Sequence, residues 1–346
     1  MTFLRIDGAH GEGGGQLVRT AVALAALTGN ALRIDQVRAH RDKPGLAAQH
    51  LAAVRAVATL CDAKCSGLEL RSRCIEFTPG RLRGGEFRFD VGTAGSVTLV
   101  LQAVLPVLIC AGQHAKVIIT GGTDVRRSPP ADYFCEVLLP LLARMGAQVG
   151  IDVVRRGYYP QGGGQVCVEV SPAPLRALRL SRAGAIESVN ARVHVSNLPV
   201  QIAERMRDAM LARLAPVVKA DISVDTVALG SESAVGAGGA VVAWARTTCT
   251  FLGAGRVAER GIRAETLGDS VGAALARDLS SGVTLDSHAS DQLLIYLALV
   301  GEHSTLMTSR LTSHTRTAMW LIGQFLPVQF QVAQAGGLTR VEVAPQ

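Results

Sequence analysis

Phe3-Leu4-Arg5-Ile6-Asp7-Gly8-Ala9-His10-Gly11-Glu12-Gly13-Gly14-Gly15-Gln16 joins a short alternating run to a glycine-rich loop and the start of a longer apolar run. The pattern predicts a strand over Phe3 to Asp7, a loop over Gly8 to Gly15 and a helix over Gln16 to Leu27. A second strand follows at Leu32 to Val37. Lys43-Pro44-Gly45 then opens a second helix running through Leu60, and two strands close the unit near Gly67 to Arg71 and Cys74 to Thr78.

The same order returns twice. In the second copy the strand is Glu86 to Val91, the loop Gly92 to Ser96 and the helix Val97 to Cys110. A strand at Lys116 to Thr120, a loop at Gly121 to Pro130, a helix at Ala131 to Met145 and strands at Gln148 to Val154 and Gln165 to Val170 complete it. The third copy is expected to hold a strand at Val283 to Asp286, a loop at Ser287 to Ser290 and a helix at Asp291 to Val300. A strand at Ser304 to Thr308, a loop around His314, a helix to Leu326 and strands at Val328 to Ala333 and Leu338 to Val343 follow, with Gly336-Gly337 as the turn. Three such βαβαββ-type units imply an α/β (α+β) large domain with pseudo-three-fold symmetry, not a doubly wound sheet. Their strand-to-helix loops collect at one end of the sheets, where free helix N–H groups favour anions.

About 100 residues between copies two and three break the period. Strands are expected at Arg192 to Val195, Asp221 to Ala228 and Val241 to Thr248, and helices at Val200 to Leu214 and Ala264 to Leu279. Ser231 to Gly239 reads as a loop. The predicted division is 1–184 for repeats one and two, 185–280 for a small inserted α+β domain, and 281–346 for repeat three.

In the 346 residues the hydrophobic share is 48 % and the charged share only 18 %, enough for a large core and against disorder. No apolar run reaches the ~18 uncharged residues of a membrane span, and Met1 to Arg5 lacks the features of a signal peptide. Seven scattered cysteines suggest neither a disulfide framework nor a zinc site, so a cytoplasmic protein with reduced thiols and no membrane partner is expected. A net charge of +7 favours a polyanionic partner, while 4 % aromatics argue against a base-stacking platform.

Several loops carry chemistry. Gly11 to Gln16 is neither a Walker loop nor a dinucleotide fingerprint; it is a tight turn or an anion cradle. A carboxylate in such a cradle, Glu12, makes sense if it holds a metal or a ribose hydroxyl. Arg38-Ala39-His40-Arg41-Asp42-Lys43 with Arg19 could grip phosphates or be a solvated turn, and Gln49 and His50 follow it on the helix. Arg126-Arg127-Ser128-Pro129-Pro130-Ala131-Asp132-Tyr133 is the equivalent loop of copy two, its prolines setting the helix start. Tyr158 to Gln165 reads as a hairpin turn. In His288-Ala289-Ser290-Asp291-Gln292, Asp291 is a candidate N-cap, or the run grips a nucleotide. Thr312-Ser313-His314-Thr315-Arg316-Thr317 places a histidine at a helix start, on the loop face of the third copy.

Asp7 to Gln16, Arg41-Asp42-Lys43-Pro44-Gly45-Leu46, Gly121-Gly122-Thr123-Asp124 and Pro129-Pro130-Ala131-Asp132 together resemble the RNA 3'-terminal phosphate cyclases, essentially along the whole chain. The resemblance implies a large domain of three repeated α/β units with a thioredoxin-like insert. It also implies ATP and a divalent cation, Mg or Mn, as cofactors, and RNA with a 3'-terminal phosphate as substrate, converted to a 2',3'-cyclic phosphate. A homodimer is allowed. His314 matches the nucleophile that becomes a covalent histidine–AMP. Glu12 matches the acidic residue near ribose and metal. Gln102, Pro130 and the run His288, Ala289, Ser290, Asp291, Gln292 match the nucleotide site. Arg19, Arg38, Arg41, Lys43, Gln49 and His50 match the surface around the phosphates. Two positions depart from the family pattern: Thr317-Ala318 where Thr-Asn is usual, and His288 where tyrosine is common. Nearby cations are expected to keep His314 neutral, hence nucleophilic. Two rival classes share the architecture, a non-catalytic RNA-binding relative acting in ribosome assembly and an enolpyruvyl transferase. Retention of His314, Gln102 and Asp291-Gln292 counts against the first, and the lack of transferase motifs against the second.

Overall fold

The computed structural model describes residues 2–219 and 221–346. In the first unit β1 (Leu4–Asp7) runs parallel to β2 (Leu32–Asp35), which pairs antiparallel with β4 (Ile75–Thr78), and β4 with β3 (Lys64–Ser66). The second unit repeats this: β5 (Gly85–Asp90) is parallel to β6 (Ala115–Gly121), and β8 (Gly164–Ser171) lies between β6 and β7 (Gln148–Gly157). In the third, β16 (Leu338–Pro345) lies between β14 (Ser304–Thr308) and β15 (Val328–Ala335). The sheets bury one face against the helices α1 (Gly15–Thr28), α2 (Ala48–Leu60), α3 (Val97–Cys110), α8 (Ser287–Val300) and α9 (Ser313–Gly323). Apart from half-buried Gln102 and its exposed last residue Cys110, α3 is apolar and buried on every side, as a helix packed between α1, α2 and α8 must be.

The expected third-unit strand at Val283 to Asp286 does not form. The parallel neighbour of β14 is a segment far upstream: Leu180 N donates to Thr305 O (2.8 Å) and Thr305 N to Leu178 O (2.9 Å). The first strand of the third unit thus comes from before the insert. Val283 to Asp286 instead leads into α8, which begins at Ser287, not Asp291. The reason is Asp286, whose side chain accepts from His288 N and Ala289 N and caps the helix there. Asp291 is therefore not the cap. Gly67 to Arg71 is also not a strand, since Gly67 and Arg71 take left-handed φ values of 69° and fold the chain over Gly45. The helix expected from Ala131 is α4 (Ala131–Tyr133), a π-helical turn (Phe134–Leu138) and α5 (Leu139–Arg144) in succession.

The intervening segment has its own sheet, ordered β10 (Ile222–Leu229), β9 (Ile186–Ser196), β12 (Gly238–Thr247), β13 (Phe251–Val257). α6 (Val200–Leu214) connects parallel β9 and β10, and it packs with α7 (Ala264–Ser281) on one face over a separate apolar cluster that includes Val193, Met206, Val241 and Leu267. The other face lies against the π turn and α4, where Val242 joins the main core. A two-residue strand, β11 (Ala234–Val235), pairs with β7 and ties the segment to the second unit.

Candidate active site

The glycine loop reaches the third unit through α9. His10 stacks on Trp320 with ring centroids 3.5 Å apart, and a Cβ on Gly11 would lie 2.3 Å from Thr317 Oγ1, so only glycine allows that approach at φ +61°. This contact carries Glu12 to the start of α9. Thr312 caps α9 by accepting from Thr315 N (3.0 Å), which puts His314 in the exposed first turn. Half-buried Asp291, from the second turn of α8, accepts from the hydroxyls of Thr312 (2.8 Å) and Thr315, fixing the start of α9 from below. Burial raises the Asp291 pKa, and the two hydroxyl donors oppose that.

Glu12 is the hub. Its Oε2 lies 2.9 Å from His314 Nδ1 and its Oε1 2.6 Å from Arg41 Nη2. The His314 hydrogen bond, more than Arg41, holds the Glu12 carboxyl below the ordinary range. The same bond raises the His314 pKa, so a carboxylate, not the neighbouring cations, sets its protonation. That corrects the expectation that cations keep His314 neutral; Arg19 pulls downward, but less strongly. With Nδ1 committed to Glu12, Nε2 is the nitrogen left to react, and the side chain is 46 % exposed.

A cleft of about 580 Å³ opens above this pair. Glu12, Arg19, Arg38, Arg41, Gln49, His50, Gln102, Pro130, His288, Asp291, Gln292 and His314 all line it. Lys43 does not, nor do Ala289 and Ser290, which are buried in α8 with the Ser290 hydroxyl donating to Asp286 O. Arg19 is buried, its pKa pushed down to about 10 by desolvation, still cationic at neutral pH. It donates to Gln102 Oε1 (3.1 Å), Gln102 donates on to Gln292 Oε1 (3.0 Å), and Arg19 Nε has no protein acceptor. His50 is buried, and desolvation, then the three arginines around it, push its pKa to about 3. It is a neutral donor, not a cation. Its Nδ1 accepts from Ala47 N (3.3 Å), and its Nε2 would meet a Cβ on Gly15 at 1.9 Å.

The opposite wall is legible in the sequence only in part, through the second-unit loop Arg126 to Tyr133. It comes from the second-unit loop (Arg127, Ser128) and from β13 and its end (Gly255, Arg256, Val257, Glu259). A cluster behind that wall was also missed: Arg156 donates to Asp124 Oδ2 (3.1 Å) and Asp132 Oδ1 (2.6 Å), Arg192 of β9 to Asp132 Oδ1 (3.0 Å), and Tyr158 OH pairs with His194 Nδ1 (2.9 Å). Asp124, Asp132 and His194 have ligand spacing, yet two guanidinium groups already neutralise the two carboxylates, so the cluster does not fit a cation. Glu12 also has both oxygens engaged, by Arg41 and His314, but unlike that buried cluster it opens on the cleft.

A repeated α/β scaffold with a histidine–carboxylate pair in a basic cleft defines a phosphate-handling enzyme of nucleotidyl-transfer type. The family model described as RNA 3'-terminal phosphate cyclase matches residues 10–332. A protein of Nitrosospira multiformis named RNA 3'-terminal phosphate cyclase is 52 % identical over 342 residues, covering 99 % of this chain and 96 % of that protein. Proteins of the same name from Methylococcus capsulatus and Methanopyrus kandleri are 43 % and 40 % identical, covering 100 % of this chain and 98 % and 100 % of theirs. The chain belongs to the RNA 3'-terminal phosphate cyclase family. Among the described residues, no helix is long and apolar enough to cross a membrane.

Proposed function

We propose that the cleft binds ATP and an RNA 3'-terminal phosphate and cyclises the latter to a 2',3'-phosphodiester in three displacements. The observation that carries this reading is the Glu12–His314 pair at the floor of a cleft lined by arginines. In the first displacement His314 Nε2 forms a bond to the α-phosphorus, the α–β bridging P–O bond breaks, and pyrophosphate leaves. Glu12 holds Nδ1–H, which fixes the tautomer and stabilises the positive charge the ring gains. In the second, an oxygen of the RNA 3'-phosphate attacks the adenylyl phosphorus and the N–P bond breaks, giving an RNA–adenylate anhydride. In the third, the 2'-oxygen attacks the 3'-phosphorus, loses its proton and expels AMP.

The residues divide this work by position. Arg19, with an unpartnered Nε, and Arg41 supply cationic donors for oxygens that gain charge as the leaving groups depart. His50 adds a neutral N–H. Gln102, Pro130, His288 and Gln292 form the wall for the nucleoside. A divalent cation, when bound, neutralises phosphate charge, and Glu12 is the side chain that would hold it. The large unit, 1–184 with 281–346, supplies the floor, and the insert, 185–280, supplies the roof.

The test is incubation with α-labelled ATP and a divalent cation followed by peptide mapping. The adduct is expected on His314, acid-labile and alkali-stable as a phosphoramidate. His314→Asn should abolish labelling and cyclisation, yet still close RNA supplied as the 3'-adenylylated anhydride. A label on His50 or His288 that persists in His314→Asn would overturn the assignment.

A further inference from the structure

Arg19, Arg38, Arg41, Arg127 and Arg256 line the cleft, and three of them already have protein acceptors. Arg19 donates to Gln102, Arg38 to the carbonyls of Lys43 (3.1 Å) and Gly45 (2.7 Å), and Arg41 to Glu12. Arg127 and Arg256 differ. Both are exposed, and among the described residues neither guanidinium has a hydrogen-bond acceptor or a carboxylate partner. Glu259, the acidic side chain on their wall, is taken up by Arg126, whose Nε lies 2.6 Å from its Oε2. That ion pair also joins the second-unit loop to the end of β13, so the two free arginines share one supported rim. Gly255 packs on the ring of Pro130, where an added Cβ would lie 3.1 Å from Cγ, which seats Arg256 beside the loop that carries Arg127. Arg127 has a φ of +61°, a conformation that disfavours side chains, yet the position holds a long cationic one.

We propose that Arg127 and Arg256 hold backbone phosphates of the RNA strand on the 5' side of its terminal phosphate. The inference rests on the cyclase reading of the cleft. In that reading the polyphosphate of ATP is served by the Arg19 and Arg41 wall beside His314. A strand whose end lies at His314 must leave the cleft past a surface that neutralises successive phosphates, and the unpaired guanidinium groups are on the opposite rim. Aromatic residues are only 4 % of the chain, so recognition through phosphates, indifferent to base sequence, suits this rim better than stacking.

The measurement is binding of fluorescent oligoribonucleotides ending in an unreactive 3'-hydroxyl, by anisotropy across a salt series. Each phosphate contact adds about 0.7 to the log–log salt slope of a single strand, so Arg127→Ala/Arg256→Ala should flatten it by about 1.4. A fourfold rise in salt should then cost the unmodified protein about sevenfold more affinity than the variant. Arg127→Lys/Arg256→Lys should keep most of the slope, which separates charge from folding. With substrates bearing a 3'-phosphate, the rise in KM should be larger for an oligonucleotide of about twelve residues than for a dinucleotide, given single-strand sites of about 4–16 nucleotides. An unchanged slope, or an equal KM effect on the dinucleotide, would overturn the proposal. So would a loss of adenylylation by ATP alone as large as the loss of RNA affinity, which would assign the rim to the nucleotide's phosphates. Absence of AMP on His314 in the unmodified protein would instead count against the cyclase reading, and the binding comparison would still stand.

Discussion

Glu12→Gln separates the two things Glu12 does to His314, charging it and orienting it. Glutamine keeps an oxygen that can accept from Nδ1 but loses the charge that raises the His314 pKa. His314 side-chain exposure is 46 % and that of Glu12 17 %, so solvent screening limits the pair to about 0.5–1 kcal/mol of stability. Its pH window follows from the two shifts. Glu12 has a lowered folded pKa, so its contribution is present above its ordinary 4.5 and lost as pH falls through the lowered value. His314 has a raised folded pKa, so its contribution is complete below its ordinary 6.5 and lost as pH rises through the raised value. The stability difference between wild type and Glu12→Gln should therefore peak between pH 4.5 and 6.5 and shrink above it. Catalysis should respond differently. In the proposed mechanism neutral imidazole is the nucleophile, so the wild-type labelling rate should rise about tenfold per pH unit on its acid limb and level above the raised pKa. In Glu12→Gln that inflection should move to lower pH, while the plateau falls about 10- to 100-fold as the tautomer loosens. The fall should be smaller than the ~10⁴ known where a fully buried aspartate orients a catalytic histidine. Single-turnover labelling across pH with urea melts of both proteins decides it. An inflection that stays put or moves upward would refute the assignment of Glu12 as the group that raises the His314 pKa.

Four further substitutions test the surroundings. Gly14→Ala would put a Cβ 2.2 Å from Glu12 Oε1, so the carboxylate must swing away while the backbone, at φ −100°, accepts alanine without strain; labelling should fall with little change in melting temperature. Asp132→Asn should cost about 3–5 kcal/mol in urea denaturation at neutral pH, because it leaves Arg156 and His194 facing a lost charge. Burial alone would raise the Asp132 pKa, but the nearby His194 ring and the Arg156 guanidinium override it and hold it low, so this stability is present above the ordinary carboxylate range and lost as pH falls through the lowered value. Arg41→Ala should slow labelling by ATP while leaving the salt slope of RNA binding nearly unchanged, whereas Lys43→Ala, outside the cleft, should alter neither measurably.

Local signals carried much of the fold. The helices at Val97–Cys110 and Val200–Leu214 appear with the expected ends, each set by residues close in sequence: Ser96 caps the first through Leu99 N, and Pro199 precedes the second. The failures are non-local or competitive. Leu178-Arg179-Leu180 is too short to announce a strand, and its partner Thr305 lies beyond the whole insert. Val283 to Asp286 has strand composition, but it is only the link between α7 and α8, and its last residue, Asp286, caps the helix that starts at Ser287. The floor of the cleft was legible because Glu12, Arg41 and His314 each sit in a recognisable loop of one repeat. The direction of the His314 shift was not, since counting charges along the chain says nothing about which one reaches Nδ1. Of the rim residues, Arg127 sits in the loop that the repeat singles out, but Arg256 was out of reach for the same reason, because the position it shares with Arg127 depends on how the insert seats on the second unit.

That seating runs through one carboxylate that carries no chemistry of its own. Asp286 Oδ1 accepts from the N–H groups of His288 and Ala289 and from the Tyr133 hydroxyl (2.6 Å), while its Oδ2 accepts from Gly253 N on β13 (3.1 Å). The first two bonds start the helix that presents His288, Asp291 and Gln292. The third fixes the helix that follows Pro130, and the fourth fixes the roof strand that carries Gly255 and Arg256. Asp291 in turn holds the hydroxyls that cap the His314 helix. The start of α8, the roof strand and, through Asp291, the His314 helix are therefore referred to one buried point, only 3 % exposed and away from the water that would loosen it. A displacement of the insert would pull on β13, then on Asp286, then on the helix bearing Asp291, before it reached His314. The placement of His314, the proposed nucleophile, is thus tied to the insert through Asp286 and Asp291.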